Sequence, residues 1–302
     1  MYPRWYDSGQ MPKRTLRFRQ FSIQAHIGDE NPDYSLLFSQ LTSLKGKHRK
    51  SGKHVIAAGP TMLTKGASGT DRLYLILYSG DDDPNLLWFD LNEQSEFTSQ
   101  TSEGRFLARK THALIDPVKK RLVLEAGRGH PSADELAEFI EEEGRKIASF
   151  ELLDLTFTPV PVPEFAQQIA RLQRIQAASV VIARPNPGWT DRYNQYTQTA
   201  SDSNAKIIEA GVRSGRNESL SKDEGLVADI KQWVTGIFPS IKNAKLKGLF
   251  EDSSAPIELK LTDYVETATY SVNLDPLTKQ PTDSEIQKNL NSLLDSKQES
   301  HD

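Results

Sequence analysis

The 302-residue chain carries 37 Lys and Arg against 41 Asp and Glu, a formal charge of −4, with 37% hydrophobic residues and a mean hydropathy of −0.55. The absence of cysteine excludes disulfides, thiolate nucleophiles and cysteine-ligated zinc. No run approaches the roughly 18 apolar residues of a membrane-spanning helix, and MYPRWYDSGQMPKR lacks the apolar stretch of a secretory signal, so the expected location is the cytoplasm.

Charge is unevenly spread. Residues 1–130 hold 19 Lys and Arg against 14 Asp and Glu, and the remainder hold 18 against 27. This asymmetry points to a basic surface in one half. The expected organisation is a basic domain over 1–187 and a smaller acidic one over 188–302, ending in a disordered tail.

In chain order, TLRFRQFSIQAHI (15–27) alternates as a half-buried strand does, with a phase slip near Gln20 that suggests a bulge. KGKHRKSGKH (45–54) holds five cations, two glycines and no apolar residue, and reads as a mobile loop. HVIAAGP (54–60), RLYLILYSG (72–80) and NLLWFDL (85–91) are strand-like runs bounded by Gly, Pro and Asp. Residues 105–126 read as a hairpin turning at Asp116-Pro117-Val118-Lys119.

Ser132 and Glu135 form a capping box ahead of the apolar stripe Leu136, Phe139 and Ile140. A strand over 150–163 and a helix over 164–176 follow, the latter aligning Phe165, Ile169, Leu172 and Ile175. Strands are expected at 179–187, 205–212, 245–250, 256–262 and 264–274, and helices at 222–238 and 284–294. The expected class is α+β: mostly antiparallel sheet with a few single helices packed on one side.

Three motifs bear on chemistry. EAGRGHPSADEL (125–136) delivers a strand to a helix N-terminus, where free N–H groups attract anions, yet it lacks the third glycine of a dinucleotide fingerprint and Ser132 already serves as a cap. Glu258-x-Lys260, with Asp252 upstream, has the composition of a metal-dependent nuclease site, in which two carboxylates hold the ion and a lysine assists water. The pair reads first as the polar face of a surface strand, because Ile257, Leu259 and Leu261 alternate with it, and the nuclease site stands as the alternative. Asp81, Asp82 and Asp83 fit a turn as well as a cation site. No metal or other cofactor is expected from the histidine spacing or any Gly-rich loop.

The basic set is the stronger signal. Arg14, Arg17 and Arg19 share a strand; Lys45, Lys47, Arg49, Lys50 and Lys53 share the loop; Arg109, Lys110 and Arg128 flank the hairpin. Such a field suits phosphate-backbone binding, which needs no base-reading side chain. Mobile lysines suit a phosphate clamp and a solubilising loop equally.

FLARKTHALIDPVKKRLVLEAGRGHPSADELAEFI, FELLDLTFTPVPVP and LQRIQAASVVIARPNP, whose last strand carries Val180, Ile182 and Pro185, resemble in element order the RexA-like phage-exclusion proteins of prophages. KLKGLFEDSSAPIELKL (245–261) resembles a later hairpin of that family. The resemblance implies a homodimeric, sequence-nonspecific DNA-binding protein that senses phage replication intermediates and works with a membrane-protein partner. The expected function is therefore DNA binding in phage exclusion or antiviral defence, without catalysis. The alternatives are a nuclease using Asp252, Glu258 and Lys260, and a protein-interaction module built on the acidic half.

Overall fold

The computed structural model describes residues 13–28, 30–82, 85–90, 95–100, 105–184, 199, 202–203, 205–235, 241–251, 253, 255–275, 277 and 280–295. It is α+β and antiparallel throughout its described strand pairs, as expected. The N-terminal elements are β1 (Lys13–Ile27), α1 (Tyr34–Gln40), β2 (His48–Ser51), β3 (His54–Lys65) and β4 (Asp71–Asp81). A separate ribbon, β5 (Asn85–Asp90) with β6 (Ser95–Gln100), precedes β7 (Arg109–Asp116), β8 (Arg121–Glu125), α2 (Ala133–Gly144) and β9 (Leu153–Pro159). Then come α3 (Glu164–Arg171), β10 (Leu172–Ala183), β11 (Ile207–Arg213), α4 (Gly225–Val234), β12 (Ile241–Phe250) and β13 (Ile257–Lys260). The described chain closes with β14 (Thr267–Asn273) and α5 (Asp283–Asp295).

A large sheet runs β14-β1-β8-β7-β4-β3-β2, with β9 pairing the second half of β1. Runs such as LYLIL (73–77) carry no charged residue and are buried at every position, which demands cover on both faces. One face buries Ile23, Leu75, Ile115 and Phe157 beneath α1 and α2. The opposite face buries Phe18, Tyr74, Leu114 and Val123 against Ile286, Leu290 and Leu294 of α5. Helices thus lie on both sides of this sheet, which corrects the expectation of helices on one side only, because strands apolar on both faces need cover on both.

The smaller sheet, β11-β10-β12-β13, buries Val180, Ile182 and Leu246 against Phe165 and Ile169 of α3 and Ile230 and Trp233 of α4. Its other face carries no helix among the described residues: Ser179, Gly211, Lys245 and Lys247 are exposed there. The sheets interleave in sequence, since the smaller one takes β10 from before residue 187 while the large one takes β14 from after it. They are tied together where Lys206 meets Glu141 at 2.5 Å and Asp154 at 2.8 Å, and where Lys242 meets Asp134 at 3.0 Å.

Three local expectations are corrected. No bulge occurs near Gln20: β1 keeps continuous register with β14, β8 and β9. Its apolar residues simply change face, from Leu16 and Phe18 toward α5 to Ile23 and Ala25 toward α2. Gln20 marks the point where the edge partner passes from β14 to β9, donating to Glu266 O and accepting from Val160 N.

The helix over 164–176 stops at Arg171, and Leu172 begins a strand. Register shifts between Leu172 and Arg174 and between Ile175 and Ala177 let residues three apart face one core, which imitates a helical period. Within residues 45–54, expected as a loop throughout, His48–Ser51 form the edge strand β2, hairpinned to β3 through Gly52, whose φ of +61° suits glycine, while Lys45 and Lys47 precede the strand. The expected disordered tail lies outside the described residues.

Candidate nucleic-acid interface

The site is built around the turn that follows β8. Gly129 sits at φ +78°, its carbonyl accepts from Ser79 Oγ at 2.8 Å, and the Arg109 side chain lies against its backbone. Beyond it, Ser132 caps α2: Glu135 N donates to Ser132 Oγ at 3.2 Å and Ser132 N donates to Glu135 Oε2 at 2.7 Å. The capping box uses donors an anion would need, and Asp134 and Glu135 place negative charge in the first turn. The helix N-terminus is therefore a cap, and positive charge comes from the side chains around the turn.

Five expected cations gather there. Ala126 N donates to Arg17 O at 2.8 Å, which lays β1 beside the turn. Arg17 and Arg19 share one face of β1, Arg128 is exposed within the turn, and Arg109 reaches it from β7. Arg14 comes near enough, with Arg109, to act on His130. None of these five arginines forms an ion pair among the described residues. His130 is held below the usual histidine pKa first by burial and then by repulsion from Arg109, Arg14 and His112, against an opposing pull from Glu125. Its Nδ1 lies 2.7 Å from Thr111 Oγ1, and its Nε2 lies 3.7 Å from Glu125.

The other six expected cations lie elsewhere. Lys110 is bound to Asp283 of α5 at 2.5 Å. Arg49 reaches Glu138 and Glu142 of α2 at 2.6 and 3.4 Å, and Lys50 pairs with Asp82 at 2.5 Å. Lys45, Lys47 and Lys53 are exposed on the β2 hairpin. Between β1 and β2 stand β8, β7, β4 and β3, five strand spacings or about 24 Å. The two basic groups therefore do not form one patch. Cations on an uncovered edge strand also serve to discourage edge-to-edge pairing, and β2 is such an edge.

Glu258 and Lys260 share a face of β13, as expected, where they pair with each other at 3.2 Å at the surface. Asp252 lies outside the described residues. Among the described residues no group of three or more His, Asp or Glu side chains is placed to hold a metal ion. Asp81 lies 3.4 Å from His54 and Asp82 is taken by Lys50, while Asp83 lies outside the described residues.

Between the arginine-ringed turn and the smaller sheet opens a cleft of about 570 Å³, bordered by Arg19, Phe21, His130, Val181, Glu209 and Asn243. Arg19 Nε and Asn243 Oδ1 are both buried without a hydrogen-bond partner. Asn243, Lys245 and Lys247 were not singled out from the sequence. The available signal was the alternation Ala244, Leu246 inward and Asn243, Lys245, Lys247 outward along one strand. Compared with known proteins, the sequence matches no family model and no curated relative.

Proposed function

We propose that the protein binds nucleic acid through backbone phosphates, using Arg14, Arg17, Arg19, Arg109 and Arg128. The observation that carries this reading is the gathering of five arginines, from three separate stretches of sequence, around one turn without ion-pair partners among the described residues. Surface cations are ordinarily dispersed or paired, and a polyanion is the ligand that such a cluster suits, because each contact releases a counterion. Among the described residues no recognition helix accompanies the cluster, so binding is expected to be insensitive to base sequence.

The test is fluorescence anisotropy on mixed-sequence oligonucleotides across a salt series, with wild type and the Arg17→Ser, Arg109→Ser, Arg128→Ser triple variant. Three lost contacts should flatten the slope of log affinity against log salt by about 2–2.7. A wild-type affinity indifferent to salt, or an unchanged triple variant, refutes the reading. Phage exclusion or antiviral defence, a homodimer, cytoplasmic residence and a membrane-protein partner are proposed on the resemblance in element order. Restriction of phage growth by the expressed protein, lost in the same triple variant, tests that setting. Among the described residues, no helix is long and apolar enough to cross a membrane.

A further inference from the structure

The cleft beside the arginine cluster does not end at the turn. Its wall residues Val181, Glu209 and Asn243 also line a second cavity of about 490 Å³ over the uncovered face of the smaller sheet. That cavity shares Ser179, Gly211 and Lys245 with a third, of about 500 Å³, which reaches Arg213 and Lys247. The three form one trough running from Arg19 across β11, β10 and β12. Its floor is made of small residues (Ala177, Ser179, Gly211), which let a chain approach the sheet closely.

The charge along this trough is lopsided. Lys245, Lys247 and Arg213 are exposed and form no ion pair among the described residues. Two carboxylates face them: Glu258 is paired with Lys260, and Glu209 lies open near the middle. Lys245 and Lys247 project from the same face of β12 about 7 Å apart, a spacing that successive phosphates of an extended strand can meet. At the cleft end, Arg19 Nε lacks an acceptor and Asn243 Oδ1 lacks a donor. A buried polar atom left unpaired is destabilising, and a ligand offering both a phosphate oxygen and a base or sugar N–H or O–H would relieve both.

We infer that the trough is a binding site for single-stranded nucleic acid, with one nucleotide in the cleft between Arg19 and Asn243 and the following phosphates on Lys245, Lys247 and Arg213. The inference rests on the nucleic-acid reading above and narrows it. In a duplex the bases are stacked and paired, so a base edge reaches a cleft of this kind only from a single strand or after extrusion. Aromatic side chains line only the cleft end, at Phe21 and Phe157, and the sheet face beyond it offers none among its described residues, so the phosphates carry the contact there.

The test compares a 20-nucleotide single strand, as DNA and as RNA, with the duplex of the same sequence, on wild type and the Lys245→Ser, Lys247→Ser variant. Both lysines are exposed, so the variant should fold, which circular dichroism checks. Two phosphate contacts on a single strand, at about 0.7 log units each, predict a loss of about 25-fold at 0.1 M salt. Duplex binding should change little, and a strand carrying an abasic-site aldehyde, whose Schiff base with a lysine amine is fixed by borohydride reduction, should label the 241–250 peptide. Equal single-strand affinity in the double variant, or crosslinks confined to other segments, overturns the inference while leaving nucleic-acid binding in place. Wild type that binds neither form overturns both readings. Displacement of the oligonucleotide by polyglutamate at equal charge concentration would make the trough a site for acidic protein and refute the assignment.

Discussion

Arg72→Met offers the sharpest test of how the large sheet is held together. Arg72 is fully buried, and its guanidinium donates to Asp116 at 2.8 Å, Asp295 at 2.6 Å and Asn291 Oδ1 at 3.0 Å. Burial works against the charged arginine, but the hydrogen bonds it donates to Asp295 and Asp116 outweigh it and hold its pKa above the ordinary value. Methionine fills a similar volume, so the cavity cost is small and the electrostatic cost dominates. Asp116, also fully buried, would keep only the bond from Lys119 N at 2.9 Å.

Breaking a buried pair in this way costs about 3–5 kcal/mol. The surviving amide bond places the expected loss near the lower figure. Asp295→Asn should cost only about 1 kcal/mol, because its side chain is 24% exposed and water can replace the arginine. Adding Asp116→Asn to Arg72→Met should restore at least about 1 kcal/mol, since it removes the stranded charge. Urea denaturation followed by circular dichroism gives each value. A loss under about 1 kcal/mol for Arg72→Met, or no recovery in the double variant, would refute this account.

Acid should loosen α5. Burial raises the pKa of Asp283 and of Asp295, but hydrogen bonds from Lys110 and His112 to the former and from Arg72 to the latter outweigh it and leave both lowered. The stability they contribute is complete above the ordinary aspartate value of 3.8 and is lost as pH falls through the depressed native values. His130 adds a separate slope. Its lowered pKa means the unfolded chain takes up a proton first, so stability should decline as pH drops below 6.5 and level off beneath the native value, which denaturation midpoints across pH will show. The Lys47→Ser, Arg49→Ser, Lys50→Ser, Lys53→Ser variant should retain nucleic-acid affinity within about twofold, yet self-associate at lower concentration by light scattering, because the β2 edge loses its cations. Glu258→Ala should change stability by under about 1 kcal/mol in urea denaturation, as expected for an exposed pair.

Much of the fold was legible because elements with strong local signals announce themselves. The capping box at Ser132 and the Asp116-Pro117 turn stand where the residues predict them. What misled was periodicity without context. Leu172 and Ile175 look helical three apart, and only the bulges in β10 show how a strand produces the same spacing. The helix α1 went unread because its single cap, Asp33 accepting from Leu36 N, precedes just seven residues.

For the site, strand-level reasoning put Arg17 and Arg19 on one face but could not bring Arg109 and Arg128 to them, since that meeting depends on strand order. The same limit made Lys47 look like a neighbour of Arg19 when four strands separate their elements. Lys245 and Lys247 were hidden by the net acidity of their half of the chain, because bulk charge says nothing about which face of a sheet a residue occupies.

The pairing of β14 with β1 has a consequence for biosynthesis. A ribosome delivers β1, β4, β7 and β8 early, yet the cover for Phe18, Tyr74, Leu114 and Val123 arrives only with the last described helix. Until residue 295 has left the exit tunnel, that side of the sheet is an apolar surface facing solvent or a chaperone. The smaller sheet, whose strands all lie between β9 and β14, can finish folding during this wait. A premature stop between β14 and α5 would therefore yield a nascent chain whose insertion is folded and whose parent sheet remains sticky.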